Sequence, residues 1–172
     1  MGNFGLKVNR FYEIFVEQNG YVMVLEGLKN TLLIAVIGLI IGIVIGTLIA
    51  AIRTIPQYKV LPRVLNGICS VYVGIFRGTP MVVQLLVFYY VMLPLMGVKM
   101  TGVQVSMIVF GLNSAAYISE IMRSGIMSVD SGQMEAGRAV GLSYGTTMMK
   151  IVIPQAVKNL SLIHISEPTR PY

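Results

Sequence analysis

Charged side chains in this chain cluster in short stretches, and the apolar runs between them are too long for a soluble core. Thr31 to Ile52 carries no charge. As a helix rising 1.5 Å per residue it reaches roughly 33 Å, enough to cross a hydrocarbon core of about 30 Å. Within it Gly38, Gly42, Gly46 and Ala50 recur at every fourth position, which predicts a stripe where a second helix approaches closely. Two more uncharged runs follow. Thr79-Pro80 reads as a helix start, with Thr as N-cap and Pro in the first turn, so the second span is placed at Pro80–Val98. A third runs from Gly102 to about Ser119, and a fourth begins near Ile151. Gln57–Phe76 is less uniformly apolar, since it holds Pro62, Arg63 and Asn66 and ends at Arg77. It is expected to lie along the inner surface as an interfacial helix. The pattern predicts an all-α membrane protein, a multi-span helical bundle occupying residues 1–160.

Composition agrees with that class. Hydrophobic residues make up 55% of the chain and charged residues 12%, against about 25% charged in an ordinary globular protein. The net charge of +6 raises nucleic acid as a partner. The basic residues nevertheless form no stripe with interleaved aromatics, so no nucleic acid is expected. They flank the apolar runs instead. Arg53, Lys59, Arg63 and Arg77 stand between the first two spans with no acid among them, and Lys99 alone stands between the second and third. Excess positive charge marks the cytoplasmic side. The expectation is therefore an inner-membrane, multi-pass chain with its N-terminus outside and residues 53–79 and 120–150 in the cytoplasm.

Cysteine and histidine chemistry has little to build on. Cys69 is the only cysteine and reads as a small buried apolar residue. Residues 1–30 carry six charges and lack the apolar core of a signal peptide. The last twelve residues, Ser161–Tyr172, bring two charges and two prolines where a fourth span should be forming. That run is similar to the conceptual translation of a transposon-type sequencing-library adapter, and such scars are set aside in fold reasoning. The only histidine, His164, goes with it. The expectation is a C-terminally truncated bundle, with a native sequence that continues past Leu160 and no helix carried on through 161–172.

Function is written in the stretch from Asp130 to Pro154. Asp130 or Ser131 can cap a short helix, Glu135 suits its positive end, Gly141 can close it in a left-handed conformation, and Ser143 can cap the next. Small residues at 136, 137 and 139 leave a slim face. Such a helix either seats in a groove on a soluble partner or is an amphipathic loop without one; spacing alone leaves both open.

The same stretch resembles the EAA loop of bacterial ABC-importer permeases. The match runs through Glu135, Ala136, Gly141, Ile151 and Pro154, with Gly137 in place of the third-position Ala and Ile153 in place of Leu. The Gly137 change is expected to loosen the helix by about 1 kcal/mol. Further matches point to the polar-amino-acid group of that family, of the histidine, glutamine and arginine type. They are Gly27 to Leu32, Arg77-Gly78-Thr79-Pro80 with Gln84, Ala116-Tyr117 with Glu120 and Arg123, Gly132-Gln133 and Pro154-Gln155.

The resemblance implies the type I ABC-importer permease fold and a complex. Its parts are a second permease subunit, identical or different, two cytoplasmic ATPase subunits and an extracytoplasmic substrate-binding protein. Glu135, Ala136, Gly137, Gly141 and Pro154 would belong to the ATPase-coupling contact, and Arg77 to Pro80 would position the start of span two. No Gly-x4-Gly-Lys-Ser/Thr loop occurs in the sequence. The chain is thus expected to be no enzyme and to hold no cofactor, with ATP and Mg bound by the partner ATPase. Gln84, Asn113 and Tyr117 either line a substrate path or join helices by hydrogen bonds. An ABC permease for another small solute is the alternative within this class. An ion-coupled secondary transporter would be expected to carry ionisable groups at mid-membrane, and spans one and two have none. A bare membrane anchor gives no reason for the spaced cytoplasmic motif.

Overall fold

The structure is a computed structural model that describes residues 2–17, 19–56 and 58–166, with side chains for 4–17, 19–56 and 58–161. Every regular element among them is helical: α1 (Gly2–Tyr12), α2 (Gly20–Thr54), α3 (Val60–Gly78), α4 (Met81–Val87), α5 (Leu93–Met96), α6 (Gly102–Met127), α7 (Ser131–Ala139), α8 (Tyr144–Thr147) and α9 (Ile153–Ser166). Three π turns, Glu13–Glu17, Phe88–Met92 and Met148–Val152, join neighbouring helices.

The frame is the α2–α6 pair, and the glycine stripe builds it. Gly38, Gly42, Gly46 and Ala50 are all buried. A Cβ on Gly42 would come within 2.7 Å of the Ser114 Cβ, and one on Gly46 within 2.9 Å of the Ala115 carbonyl oxygen and Ile118. From the other side, Gly111 receives Ile41. Backbones approach this closely only where no side chain intervenes. Contacts advance in the same sense along both helices, from Gly38 against Phe110 to Gly46 against Ile118. The two helices therefore run parallel, and residues 55–101 must return the chain between them.

That return includes the segment expected as the second span, which is helical from Met81 to Met96. Helices α2, α3 and α6 are each long and apolar enough to cross a membrane, whereas Met81–Met96 is shorter. At 16 residues the latter spans only about 24 Å. Pro94 lies near its end, and Gly97, at φ +67°, terminates it. The two segments differ in length and not in apolarity, since Met81–Met96 holds no charged residue and α3 holds Arg63 and Arg77. By position, α4 and α5 still carry the chain back: Gln84 meets Asn113 of α6, and the helix ends just before α6 starts. Helix α3 does not retrace α2. Its last turns bring Val73 against Ile49 and Ala116 and Arg77 to the level of Arg53. Gln57, the expected start of the interfacial helix, lies outside the described residues.

Pro94 and Pro154 each sit two residues beyond a π turn. Proline has no N–H for the carbonyl four residues earlier. The wider i→i+5 bonds, Leu93 N–H to the Phe88 carbonyl and Ile153 N–H to the Met148 carbonyl, accommodate that loss without breaking the helix.

At the C-terminal end, α9 runs back along α6, with Leu160 against Gly125 and the Asn159 amide on Ser128. The expectation of no helix through Ser161–Tyr172 is corrected in part. Helix α9 continues to Ser166, because Leu162, Ile163 and Ile165 are compatible with it and the first breaker is Pro168. Residues 167–172 lie outside the described residues.

Candidate functional site

The helix α7 is defined at both ends by its own sequence. The Asp130 carboxylate accepts from the Gly132 N–H at 2.7 Å. At the other end Gly141 takes φ +86°, and the Leu142 N–H reaches back to the Gly137 carbonyl at 3.1 Å. This is the left-handed glycine closure that the sequence calls for. Ser143 then caps α8 by accepting from the Thr146 N–H at 3.2 Å. Glu135 and Ala136 are exposed on α7, Gly137 is buried, and Pro154 is exposed at the start of α9.

Gly137 does more than loosen a helix. A Cβ there would collide with the Thr147 methyl and stand 2.9 Å from its hydroxyl oxygen. Thr147 is fully buried, and its hydroxyl donates to the Ser143 carbonyl at 3.0 Å. The side that would carry an alanine methyl is where α8 leans on α7. Two more contacts tie the loop to the bundle. The Tyr144 hydroxyl donates to the Thr54 carbonyl, the last residue of α2, at 2.8 Å. The Gln155 amide donates to the Gln133 side-chain oxygen at 3.2 Å. Burial pushes the Tyr144 hydroxyl above the usual tyrosine range, which keeps its proton available to donate. Between α7 and the α2–α3 link lies an open groove of about 930 Å³, bordered by Pro56, Lys59, Glu135, Arg138 and Tyr144.

Above the loop, one carboxylate gathers three helices. Glu120 of α6 is 2.6 Å from Arg53 of α2, 3.9 Å from Arg77 of α3, and accepts from Nε of Arg123 at 3.1 Å. Arg53 and Glu120 are 12% and 18% exposed, so the pair is held mostly away from solvent.

Gln84 and Asn113 come together as hydrogen-bond partners. The Gln84 amide donates to the Phe76 carbonyl at 2.8 Å and to the Thr79 hydroxyl at 2.8 Å, while its oxygen accepts from Asn113 at 3.2 Å. Both side chains are buried. Thr79 and Pro80 thus sit at the junction that Gln84 fastens, with Gly78 the last residue of α3. Tyr117 stands apart from this pair: its ring is exposed, and the Arg77 guanidinium lies 5.5 Å from its centroid. Sequence reasoning did not single out Tyr144, Thr147 or Arg53 as site residues. Their partners are distant in sequence, and only the Glu120 match hinted at the cluster.

The chain as a whole is similar to known proteins. The chain is 39% identical over 144 residues to the arginine transport system permease protein ArtQ of Bacillus subtilis, covering 84% of this chain and 64% of that protein. It is 40% identical over 137 residues to the putative glutamine transport system permease protein GlnP of Rickettsia bellii, covering 80% and 61%. The chain thus spans under two thirds of the length of these relatives. Among solved structures, an amino acid ABC transporter with histidines matches at a TM-score of 0.70 and 32% identity, covering 86% of this chain and 66% of that one. The MetNI methionine ABC transporter, at 24% identity and a TM-score of 0.53, shares the fold. Residues 38–164, from the glycine stripe through the loop to α9, match the family described as the binding-protein-dependent transport system inner membrane component, and it is to this family of inner-membrane permeases that the chain belongs.

Proposed function

We propose that the chain is the membrane-spanning subunit of an ATP-driven importer for polar amino acids, with α7 as the contact for a cytoplasmic ATPase. The observation that carries this reading is the double character of α7. It is capped at both ends and packed through Gly137 on α8, which Tyr144 in turn fastens to α2, yet its Glu135–Ala136 face is free. A partner that grips that face moves the ends of α2 and α9 with it. ATP and Mg belong to the ATPase, a second permease subunit completes the pathway, and an extracytoplasmic binding protein delivers substrate on the side where the N-terminus lies. Relatives named for arginine and glutamine support an amino acid cargo. Arg77 to Pro80 and the Gln84–Asn113 pair fix where α4 leaves α3, and Tyr117, exposed beside Arg77, faces the pathway.

Gly141→Asp tests the coupling role. A side chain at φ +86° is strained, so the end of α7 should open. The expected result is a subunit that inserts at normal abundance but neither retains its ATPase on purification nor supports uptake of arginine or glutamine. Normal retention and uptake at normal abundance would rule the assignment out.

A further inference from the structure

The N-terminal helix α1 has no role in the function above, and its surface is unusual. Phe4, Val8, Phe11 and Phe15 fall at i, i+4, i+7 and i+11, one face of a helical period. The rings of Phe11 and Phe15 stack with centroids 5.3 Å apart. Asn9, Arg10 and Glu13 occupy the opposite side. Among the described residues, the only substantial contact of α1 is with the π turn that follows it, and Phe4 and Phe11 remain 78% and 66% exposed. The chain is closely packed where α2 begins. Asn19 sits in the left-handed region at φ 57°, and a Cβ on Gly20 would lie 2.6 Å from the Ile14 carbonyl oxygen. The Phe15 ring meets the edge of Tyr21 at 6.4 Å, joining the aromatic face of α1 to the first turn of α2.

What covers that face follows from α2. Its 35 residues measure about 52 Å, more than the roughly 40–45 Å of a bilayer with its headgroup regions. A tilt of about 30–40°, within the range seen for membrane helices, fits the whole helix between the two surfaces. Exposed apolar side chains continue along α2 from Tyr21 through Met23, Leu25 and Leu28 to Leu32, so its lipid-facing surface reaches Gly20. We propose that α1 lies in the bilayer interface where α2 begins, with Phe4, Val8, Phe11 and Phe15 buried at the headgroup–acyl boundary. Lys7, on the flank of the aromatic face, and Arg10 stand toward anionic headgroups. An amphipathic helix with Phe on one face and basic residues on the other lies flat at that depth.

The chain contains no tryptophan, so a single introduced one reports only its own position. Phe11→Trp and Asn9→Trp, on opposite faces, are compared in the full chain reconstituted into phosphatidylethanolamine–phosphatidylglycerol vesicles. Phe11→Trp should emit to the blue, lose most of its emission to acyl-brominated lipid, and resist aqueous acrylamide. Asn9→Trp should be quenched by acrylamide. Phe4→Trp, on the same face as Phe11, should behave as Phe11→Trp does. Equal acrylamide quenching at positions 9 and 11 would leave the face in water, and protection of position 11 from both quenchers would mean that protein covers it; either overturns the proposal. No ATPase or substrate is needed, so the outcome is independent of the transport reading.

Discussion

Two regions of this molecule depend on glycine for close packing, and they do different work with it. Between α2 and α6 the glycines repeat over roughly two turns, the surroundings are apolar, and the helices run side by side in the same direction. Between α7 and α8 a single glycine meets a single threonine, and two separate hydrogen bonds, Tyr144 to Thr54 of α2 and Gln155 of α9 to Gln133, tie the loop to the bundle. The first arrangement spreads its energy over many contacts and makes one rigid unit. The second concentrates it in a few points, as the proposed coupling role requires. Loss of the first should cost the fold, and loss of the second should cost coupling before the fold.

The sharpest break is Gly46→Leu. Its Cβ alone would press on the Ala115 carbonyl and Ile118, and the rest of the side chain has no space. A penalty above about 3 kcal/mol, beyond the usual overpacking range, should abolish monodisperse protein after detergent extraction. A normal yield and melting temperature would show that the glycine stripe is not the main support. Glu120→Gln comes next. It leaves Arg53 and its neighbours without their shared carboxylate, a loss on the order of 3 kcal/mol for a pair mostly out of water. Adding Arg53→Gln should cost less than the sum of the two single changes when thermal unfolding is followed. Strict additivity would mean that the cluster carries no coupling energy.

At the loop the expected effects are smaller and more selective. Gly137→Ala should cost about 1–2 kcal/mol through its clash with Thr147, offset in part by alanine's better helix propensity. Thr147→Ala in the same chain removes the obstructing methyl and hydroxyl, so the double variant should recover stability in a thermal melt. No recovery would place the strain elsewhere. Tyr144→Phe deletes one hydrogen bond, about 1 kcal/mol, and should leave the melting temperature nearly unchanged. Uptake by the assembled complex should fall while ATP hydrolysis continues. Unchanged uptake would exclude the Tyr144–Thr54 bond from the coupling path.

The sequence discloses the parts of this architecture that are local or periodic. A four-residue glycine repeat can be read directly, and so can a cap such as Asp130 or a left-handed closure such as Gly141, because each is set by neighbours within a turn or two. The helical run Met81–Met96 falls within the expected Pro80–Val98, and Gly97 is the local signal that closes it. Gly137 looked like a mild departure because its reason, Thr147, sits ten residues away on another helix. Tyr144 and Thr54 are 90 residues apart, and no periodicity connects them. Helix α1 went unread for a different cause. Its charges interrupt any apolar run, and the aromatic face shows only when the same residues are set on a helical wheel.

The π turn before Pro154 also alters how this stretch is aligned with others. Thr147, Val152 and Ala156 are all buried, at intervals of five and then four residues. On an uninterrupted α-helix a five-residue step turns a side chain about 140° away, so a wheel drawn straight through 144–160 would assign Thr147 to solvent. The wide turn absorbs one residue of phase and returns α8 and α9 to a common buried side. A relative that lacks the wide turn would need one residue fewer between the loop and the helix to bury the same positions.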